Sequence, residues 1–370
     1  MPIRFLRLAG IFLLLVAALQ RPAERVIAVG DVHGDLDRLG AILQKAGLLD
    51  ATRQWIGGNA TLVQLGDLVD RGPKSRAVLD FLMTLEKDAP KRGGTVRLNL
   101  GNHEVMNITG DLAYVVAADY AAFVDSRSEQ RRRTAFQDYA RLEARKGRTP
   151  NEDSWMQTHP LGFVEHREAF GPTGKYGKWL RSLPAATRVG DSIFLHGGIN
   201  PALGLKSIDQ LNSAVRAEIE AFDTVTRYMI NKELALPFYT LSELAQAADE
   251  EIQKTKATPD ASSAQTRLLE GLLTAPNWLI LHSEGPLWFR GYNSWSEAEG
   301  ELSLPQLVQT FGVKRIVVAH TPQANGQIRQ RFGGKVFLID TGMIAGRPSA
   351  LEITGGTIRA LYPNGETAFD

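Results

Sequence analysis

The sequence predicts an α/β fold whose parallel strands deliver polar side chains to one edge. Three observations carry that expectation. Short apolar runs at Val26–Val29, Thr61–Leu65 and Val96–Leu100 each read as a strand. Each is followed by a glycine-bearing loop with aspartate, asparagine or histidine, and the first two loops lead into helical apolar spacing. Asp31, Asp67 and Asn102 stand about one strand–helix–strand repeat apart, the spacing of βαβ units.

The chain has 370 residues with 42 Lys and Arg against 41 Asp and Glu. Its net charge of +1 gives no electrostatic case for nucleic acid or an anionic membrane. The absence of cysteine excludes disulfides, thiolate catalysis and Cys-ligated zinc or iron–sulfur centres. Near the N-terminus, Arg4 and Arg7 precede the apolar run Leu8–Leu19, and Val16-Ala17-Ala18 supplies small residues for signal peptidase. The run is short for a bilayer span. Residues 1–20 read as an export signal, or an N-terminal anchor if uncleaved, and place the mature protein in the periplasm without stable membrane insertion. A single catalytic domain is expected over 24–365.

Taken in order, the first strand ends at Gly30 and passes to Asp31-Val32-His33-Gly34-Asp35. Asp31 and His33, two apart on such a loop, can converge on one cation. Leu36–Leu48 has helical spacing. The second strand exits through LGDLVDRGP at 65–73, with Gly66 and Gly72 where the backbone turns sharply. By itself an Asp–Arg pair on a loop is an ordinary surface ion pair. At a strand's carboxyl end, where open α/β sheets bind ligands, Asp67 can hold a metal, Asp70 can orient a partner, and Arg71 can grip a phosphate bidentately. Ser75–Lys87 then reads as a helix, and the third strand exits through Gly101-Asn102-His103-Glu104.

Residues 111–190 change character: they are polar, helical and irregular, with an arginine run at 131–133 that reads as a solvated helix face. His159 and His166 in this block read as packing or surface residues. Ser192–Leu195 returns to strand and ends in His196-Gly197-Gly198. Residues 201–280 are again helical, with a polar loop at Lys254–Ala264. Both helical blocks read as insertions forming a cap. In Pro286–Gly291, Trp288 and Phe289 are expected to pack while Arg290 points elsewhere. A short helix at Leu304–Phe311 precedes the strand Ile316–Ala319, which ends at His320-Thr321-Pro322. Val336–Ile339 stops at Asp340-Thr341-Gly342, and Ala350–Leu361, split at Gly355-Gly356, reads as a closing antiparallel hairpin.

The strand-exit inventory is Asp31, His33, Asp67, Asn102, His196 and His320. Carboxylate, carboxamide and imidazole without thiolate suit Mn, Fe or Zn. Six groups are too many for one tetrahedral site, and with one carboxylate bridging they suit two metals. Such a pair can clamp a phosphoryl oxygen and deprotonate a bridging water for in-line attack. His103 is then the candidate acid for the leaving group, Asp70 its orienting partner, and Arg71 the hold on the phosphoryl oxygens.

GDVHGD at 30–35, GDLVDRG at 66–72, GNHE at 101–104, HGG at 196–198 and the later His320 resemble the calcineurin-like metallophosphoesterases. The DRG and GNHE forms are similar to the phosphoprotein phosphatase branch. LGNHEVMNITGDLAYV and GPLWFRG resemble the bacterial Shewanella-like protein phosphatases. This resemblance implies a two-sheet β-sandwich flanked by helices, with the site at the strand ends. It implies Asp31, His33 and Asp67 on a first metal, and Asp67 as bridge with Asn102, His196 and His320 on a second, manganese foremost. His103 would be the general acid held by Asp70, with Arg71 and Arg290 binding phosphate. The eukaryotic branch carries an SAPNY-type segment where this chain has Ile339-Asp340-Thr341-Gly342-Met343, so the resemblance does not fix that branch's inhibitor sensitivity or serine/threonine preference, and a protein phosphatase acting on phosphotyrosine, phosphoserine/threonine or both is expected. A nucleotidase or dinucleoside polyphosphate hydrolase is the alternative, and a non-catalytic metal-binding module the remote one.

Overall fold

Strand β1 (Arg25–Val29) alternates its side chains between two apolar environments: Val26 and Ala28 face one, Ile27 and Val29 the other. It leads into α1 (Leu36–Lys45), and the plan repeats through β2 (Thr61–Gln64), α2 (Ser75–Asp88), β3 (Thr95–Leu98) and α3 (Asn102–Thr109). Helices α4 (Ala117–Ala121), α5 (Ser128–Arg145), α6 (Glu152–Thr158), α7 (Phe163–Phe170) and α8 (Lys175–Ser182) follow. Next come β4 (Ala186–Val189), β5 (Ser192–Leu195), α9 (Ile208–Asn231), α10 (Leu241–Lys256) and α11 (Ala264–Leu273). The chain closes with α12 (Gly291–Ser294), α13 (Glu297–Phe311), β6 (Arg315–Val318), β7 (Arg329–Arg331), β8 (Val336–Leu338), β9 (Ala350–Thr354), β10 (Thr357–Tyr362) and β11 (Gly365–Phe369). These elements come from a computed structural model that describes residues 24–256 and 264–369. The expected export signal, and most of the polar loop expected at 254–264, lie outside the described residues.

Two sheets form, in the orders β11-β10-β9-β1-β2-β3 and β4-β5-β6-β8-β7. In the first, β1, β2 and β3 are parallel and β9, β10 and β11 continue antiparallel. In the second, β5, β6 and β8 are parallel, with β4 and β7 antiparallel at the edges. One apolar cluster joins Val26, Ala28, Val63 and Leu351 of the first sheet to Phe194, Val317 and Phe337 of the second. The outward-facing Ile27, Val29 and Leu62 pack with Leu39, Leu43, Val78 and Leu82 of the flanking helices. This is the expected α/β architecture of two sheets flanked by helices.

Helices α5, α6 and α7 share a second apolar cluster with α9, α10 and α11, built around Trp155, Phe163, Phe222, Met229 and Leu269. Helix α9 bridges the two clusters, with Leu211, Val215 and Ile219 in the main core and Phe222, Val225 and Met229 in the second. From α7, the buried Arg167 donates to the carbonyl of Asn107 at 2.6 Å, in the last turns of α3. Burial, with Arg181 nearby, lowers it to about 10, and a helix's carbonyl end is where a cation is favoured.

Several boundaries differ from expectation. The first helical stretch stops at Ser182, because Ala186–Val189 pairs with β5 as an edge strand too short and polar to register as one. Helix α13 starts at Glu297, seven residues before Leu304, behind the capping box of Ser296 and Glu299; the internal Pro305 disguises its first half. Strands β7 and β11 carry no apolar run, and β11 extends to Phe369, past the expected limit at 365. Among the described residues no helix is long and apolar enough to cross a membrane.

Gly66 has φ +95°, and a Cβ there would collide with the backbone of Gly101 on the neighbouring exit loop. Gly47 has φ +65° with nothing within 4 Å of an added Cβ. Gly66→Ala is therefore expected to cost more than about 3 kcal/mol in denaturant melts, against about 1 kcal/mol for Gly47→Ala, which carries only the backbone penalty.

Candidate active site

The exit loops of β1 and β2 are stitched backbone to backbone. The Asp67 carbonyl accepts from the N–H groups of Val32 and His33, both at 2.9 Å, and the Leu68 carbonyl accepts from Gly34 at 2.9 Å. The buried Glu104 carboxylate ties the second loop to the start of α3. It accepts from the N–H groups of Asp67, Leu68 and Gly101, each at 2.8 Å. His33, Asp67, Asp70, Arg71 and His320 all hold φ between +48° and +70°, a region costly for any residue with a Cβ.

On this frame, Asp31, His33, Asp67, Asn102, His196 and His320 come together, all of them buried. His33 donates Nδ1–H to the Val69 carbonyl at 3.0 Å, which leaves Nε2 as a lone pair. That lone pair faces Asp67 Oδ2 at 3.6 Å and Asp31 Oδ2 at 3.7 Å, and it has no hydrogen-bond partner. His196 donates Nδ1–H to the Leu65 carbonyl at 2.9 Å. Its Nε2 then faces Asn102 Oδ1 at 2.9 Å, His320 Nδ1 at 3.1 Å and Asp67 Oδ1 at 3.2 Å. Acceptors crowd this closely only around protons or a cation. The donor set fits metal ions, with one Asp67 oxygen turned to each cluster.

The titratable groups respond to this crowding: burial would lower His196, but the Asp67 charge and hydrogen bond beside it raise it. Burial pushes Asp31 well above the usual carboxylate range, with the charges of Asp340 and Asp67 adding to it. Burial would raise Asp67 too, yet His196, His103 and His33 around it hold it well below that range. Burial lowers His33 to about 4 and His320 to about 2, so both imidazoles are neutral and free to act as ligands.

Beside the acceptor cluster, His103 Nδ1 contacts Asp70 Oδ2 at 2.7 Å, and the other Asp70 oxygen accepts from Asn107 Nδ2 at 2.9 Å. Burial would lower His103, but Asp67 and the Asp70 hydrogen bond outweigh it and raise it. His103 also lies within ligand reach of His33 and Asp67. Its second nitrogen, however, sits 3.1 Å from Arg71 Nη2, and a guanidinium repels a further cation there, which disfavours ligation by His103. Arg290, exposed, donates from Nη1 to the His320 carbonyl and to Thr321 Oγ1, both at 3.0 Å. Arg71 and Arg290 thus approach from the His103 and His320 sides.

Four neighbours were not singled out from sequence. Asp340, buried at the exit of β8, accepts from the Gly342 N–H at 2.9 Å, and burial raises it. The strand-exit rule applied to Ile339-Asp340-Thr341-Gly342 would have found it. Asn107 lies four residues after His103, on the same face of α3. Glu104 and Tyr114 act through the backbone and through space, and no spacing announces that. The two histidines set aside stay outside the cluster: His159 stacks on Trp155 at 4.0 Å, and His166 packs among Tyr120, Phe123 and Phe170. Arg131, Arg132 and Arg133 pair with Asp125, Glu165 and Glu129.

Residues 24–324 match the calcineurin-like phosphoesterase family. The chain is 27% identical to Shewanella-like protein phosphatase 1 of Plasmodium berghei, over 86% of this chain and 67% of that one. It is 31% identical to Shewanella-like protein phosphatase 2 of Arabidopsis thaliana, over 54% and 52% respectively. Among solved structures, a cold-active protein-tyrosine phosphatase of a psychrophilic Shewanella species superposes with a TM-score of 0.60 at 25% identity, covering 94% of this chain and 80% of that one.

Metal-stripped protein resupplied with Mn²⁺ at a thousand times its Kd should gain about 4 kcal/mol of stability, seen as a rise in Tm. Asp67→Asn, which weakens the group shared by both clusters, should abolish most of that gain.

Proposed function

We propose that this chain, which belongs to the calcineurin-like phosphoesterases and is a metal-dependent phosphatase, hydrolyses phosphomonoesters on protein side chains, tyrosine or serine/threonine, at a centre of two metal ions. The observation that carries the reading is the meeting of acceptor-only atoms around Asp67, with the His103–Asp70 pair and Arg71 alongside. Asp31, His33 and Asp67 would hold one ion, and Asp67, Asn102, His196 and His320 the other, with Mn, Fe or Zn suited to these ligands. Bound there, the ions supply Lewis acidity toward a phosphoryl oxygen and toward water.

The side chains of this protein do the rest. Arg71 offers a forked guanidinium to two phosphoryl oxygens, and Arg290 offers a second positive charge from the His320 loop. Asp70 fixes the His103 ring with its second nitrogen toward the same space as Arg71, where the proton of that nitrogen meets the departing oxygen. Asn107 occupies the other oxygen of Asp70, so that carboxylate cannot swing away. The names of the relatives support a protein substrate, and residues 1–20 support export.

With manganese restored, kcat/KM should be higher for phosphotyrosine or phosphoserine peptides than for diadenosine tetraphosphate; a dinucleotide preference would sink the protein-phosphatase reading. His103→Asn should lower kcat on a phosphoserine peptide by about 10²–10⁴-fold with metal content unchanged. Unchanged turnover would remove His103 from the acid role.

A further inference from the structure

Between α3 and α4, the chain passes the His103 side of the site and presents Tyr114. This side chain is 47% exposed, whereas every other Phe, Tyr and Trp among the described residues is buried or half-buried. Its ring centroid lies 5.0 Å from that of His103, tilted by 54°, and 5.1 Å from Arg71 Cζ. The Arg71 backbone is held by the Tyr114 carbonyl, which accepts its N–H at 3.0 Å, so the ring is not needed to secure that loop. Trp288, on the opposite side, differs. Its ring is 5.9 Å from His320, half-buried against the core, and its Nε1–H is committed to the Ile280 carbonyl at 2.9 Å.

A single exposed ring is ordinary on a protein surface; what distinguishes this one is its place beside a proton donor and a phosphate-binding arginine. Once phosphate sits against Arg71, the departing oxygen faces His103, and the group it carries must extend past that ring toward solvent. Tyr114 flanks this path within the 4.5–7 Å range over which aromatic pairs attract. A planar ring can lie offset or edge-on against it, while a serine side chain ends too early to reach.

We propose that Tyr114 is a specificity-determining residue whose exposed face receives the leaving group and favours aryl over alkyl phosphate esters. The proposal rests on the protein-phosphatase reading above for its substrates, and on the position of Tyr114 for its mechanism. It separates two roles for the same ring, reception of a leaving group and support of Arg71.

The test uses metal-loaded full-length protein with Tyr114→Phe, which keeps the ring, and Tyr114→Leu, which keeps the bulk. The substrates are one peptide in phosphotyrosine and phosphoserine forms. Tyr114→Leu should raise KM for the phosphotyrosine form about 3–10-fold and change the phosphoserine form by less than about two-fold, with Tyr114→Phe close to wild type. Equal losses on both peptides would show that the ring only supports Arg71, and no change on either would remove it from recognition; both overturn the proposal. Calorimetry with benzylphosphonate and its saturated analogue, cyclohexylmethylphosphonate, needs no turnover. A wild-type preference for the planar ligand that Tyr114→Leu abolishes supports the platform. Its survival in Tyr114→Leu, or its absence in wild type, overturns it. A protein inert on both peptides would instead sink the protein-phosphatase reading, and the phosphonate ratio would still decide the role of Tyr114.

Discussion

Both oxygens of one buried carboxylate hold the backbone on which the site is assembled. Glu104 accepts three N–H groups, two from the exit of β2 and one from the residue before α3. Asp67, Asp70 and Arg71 ride on the first of these segments, and Asn102, His103 and Asn107 on the second. Burial lifts Glu104 to about 7, with the charge of Asp67 adding to the rise, and the three donors work against both. A side chain at this position must therefore be an acceptor of the right length at both oxygens. His103 and Asp70, the pair proposed for proton transfer, come from different elements and meet at 2.7 Å where those elements are clamped.

The second constraint is the apolar layer between the sheets. Asp31, His33 and Asp67 leave strands of one sheet, while His196, His320 and Asp340 leave strands of the other. Their separations are thus set by how Val26, Ala28 and Val63 seat against Phe194, Val317 and Phe337. Close-packed interiors transmit changes of a single methylene, so the spacing of the acceptors is a property of the core as much as of the loops. Asn99 reinforces the joint, donating from Nδ2 across to the Phe194 carbonyl at 2.8 Å.

The parallel strands and the polar residues at their ends were legible because burial and chemistry coincide there. An apolar run such as Ile316–Ala319 must stop where water or a ligand begins, and His320 marks the stop. The edge strands β4, β7 and β11 were not legible, since each is only partly buried and carries no continuous apolar run. Nor was the shared core of the two helical stretches, which unites residues as distant as Trp155 and Leu269. In the site, the acceptors could be listed from sequence, whereas Glu104 and Arg167 could not. Their partners are backbone groups, and backbone groups have no letter in a sequence.

Five side chains of the site stand on left-handed backbone that only glycine adopts freely, each at a cost of roughly 1–3 kcal/mol. They form a patch of local frustration inside a fold whose other levels agree with one another. Substitution chosen only to relax the chain would begin here, and glycine at His33 or His320 would ease the backbone while erasing an imidazole of the candidate metal site. The scaffold must therefore keep surplus stability elsewhere, and that surplus, more than the loops themselves, limits how far the sequence can drift while the site survives.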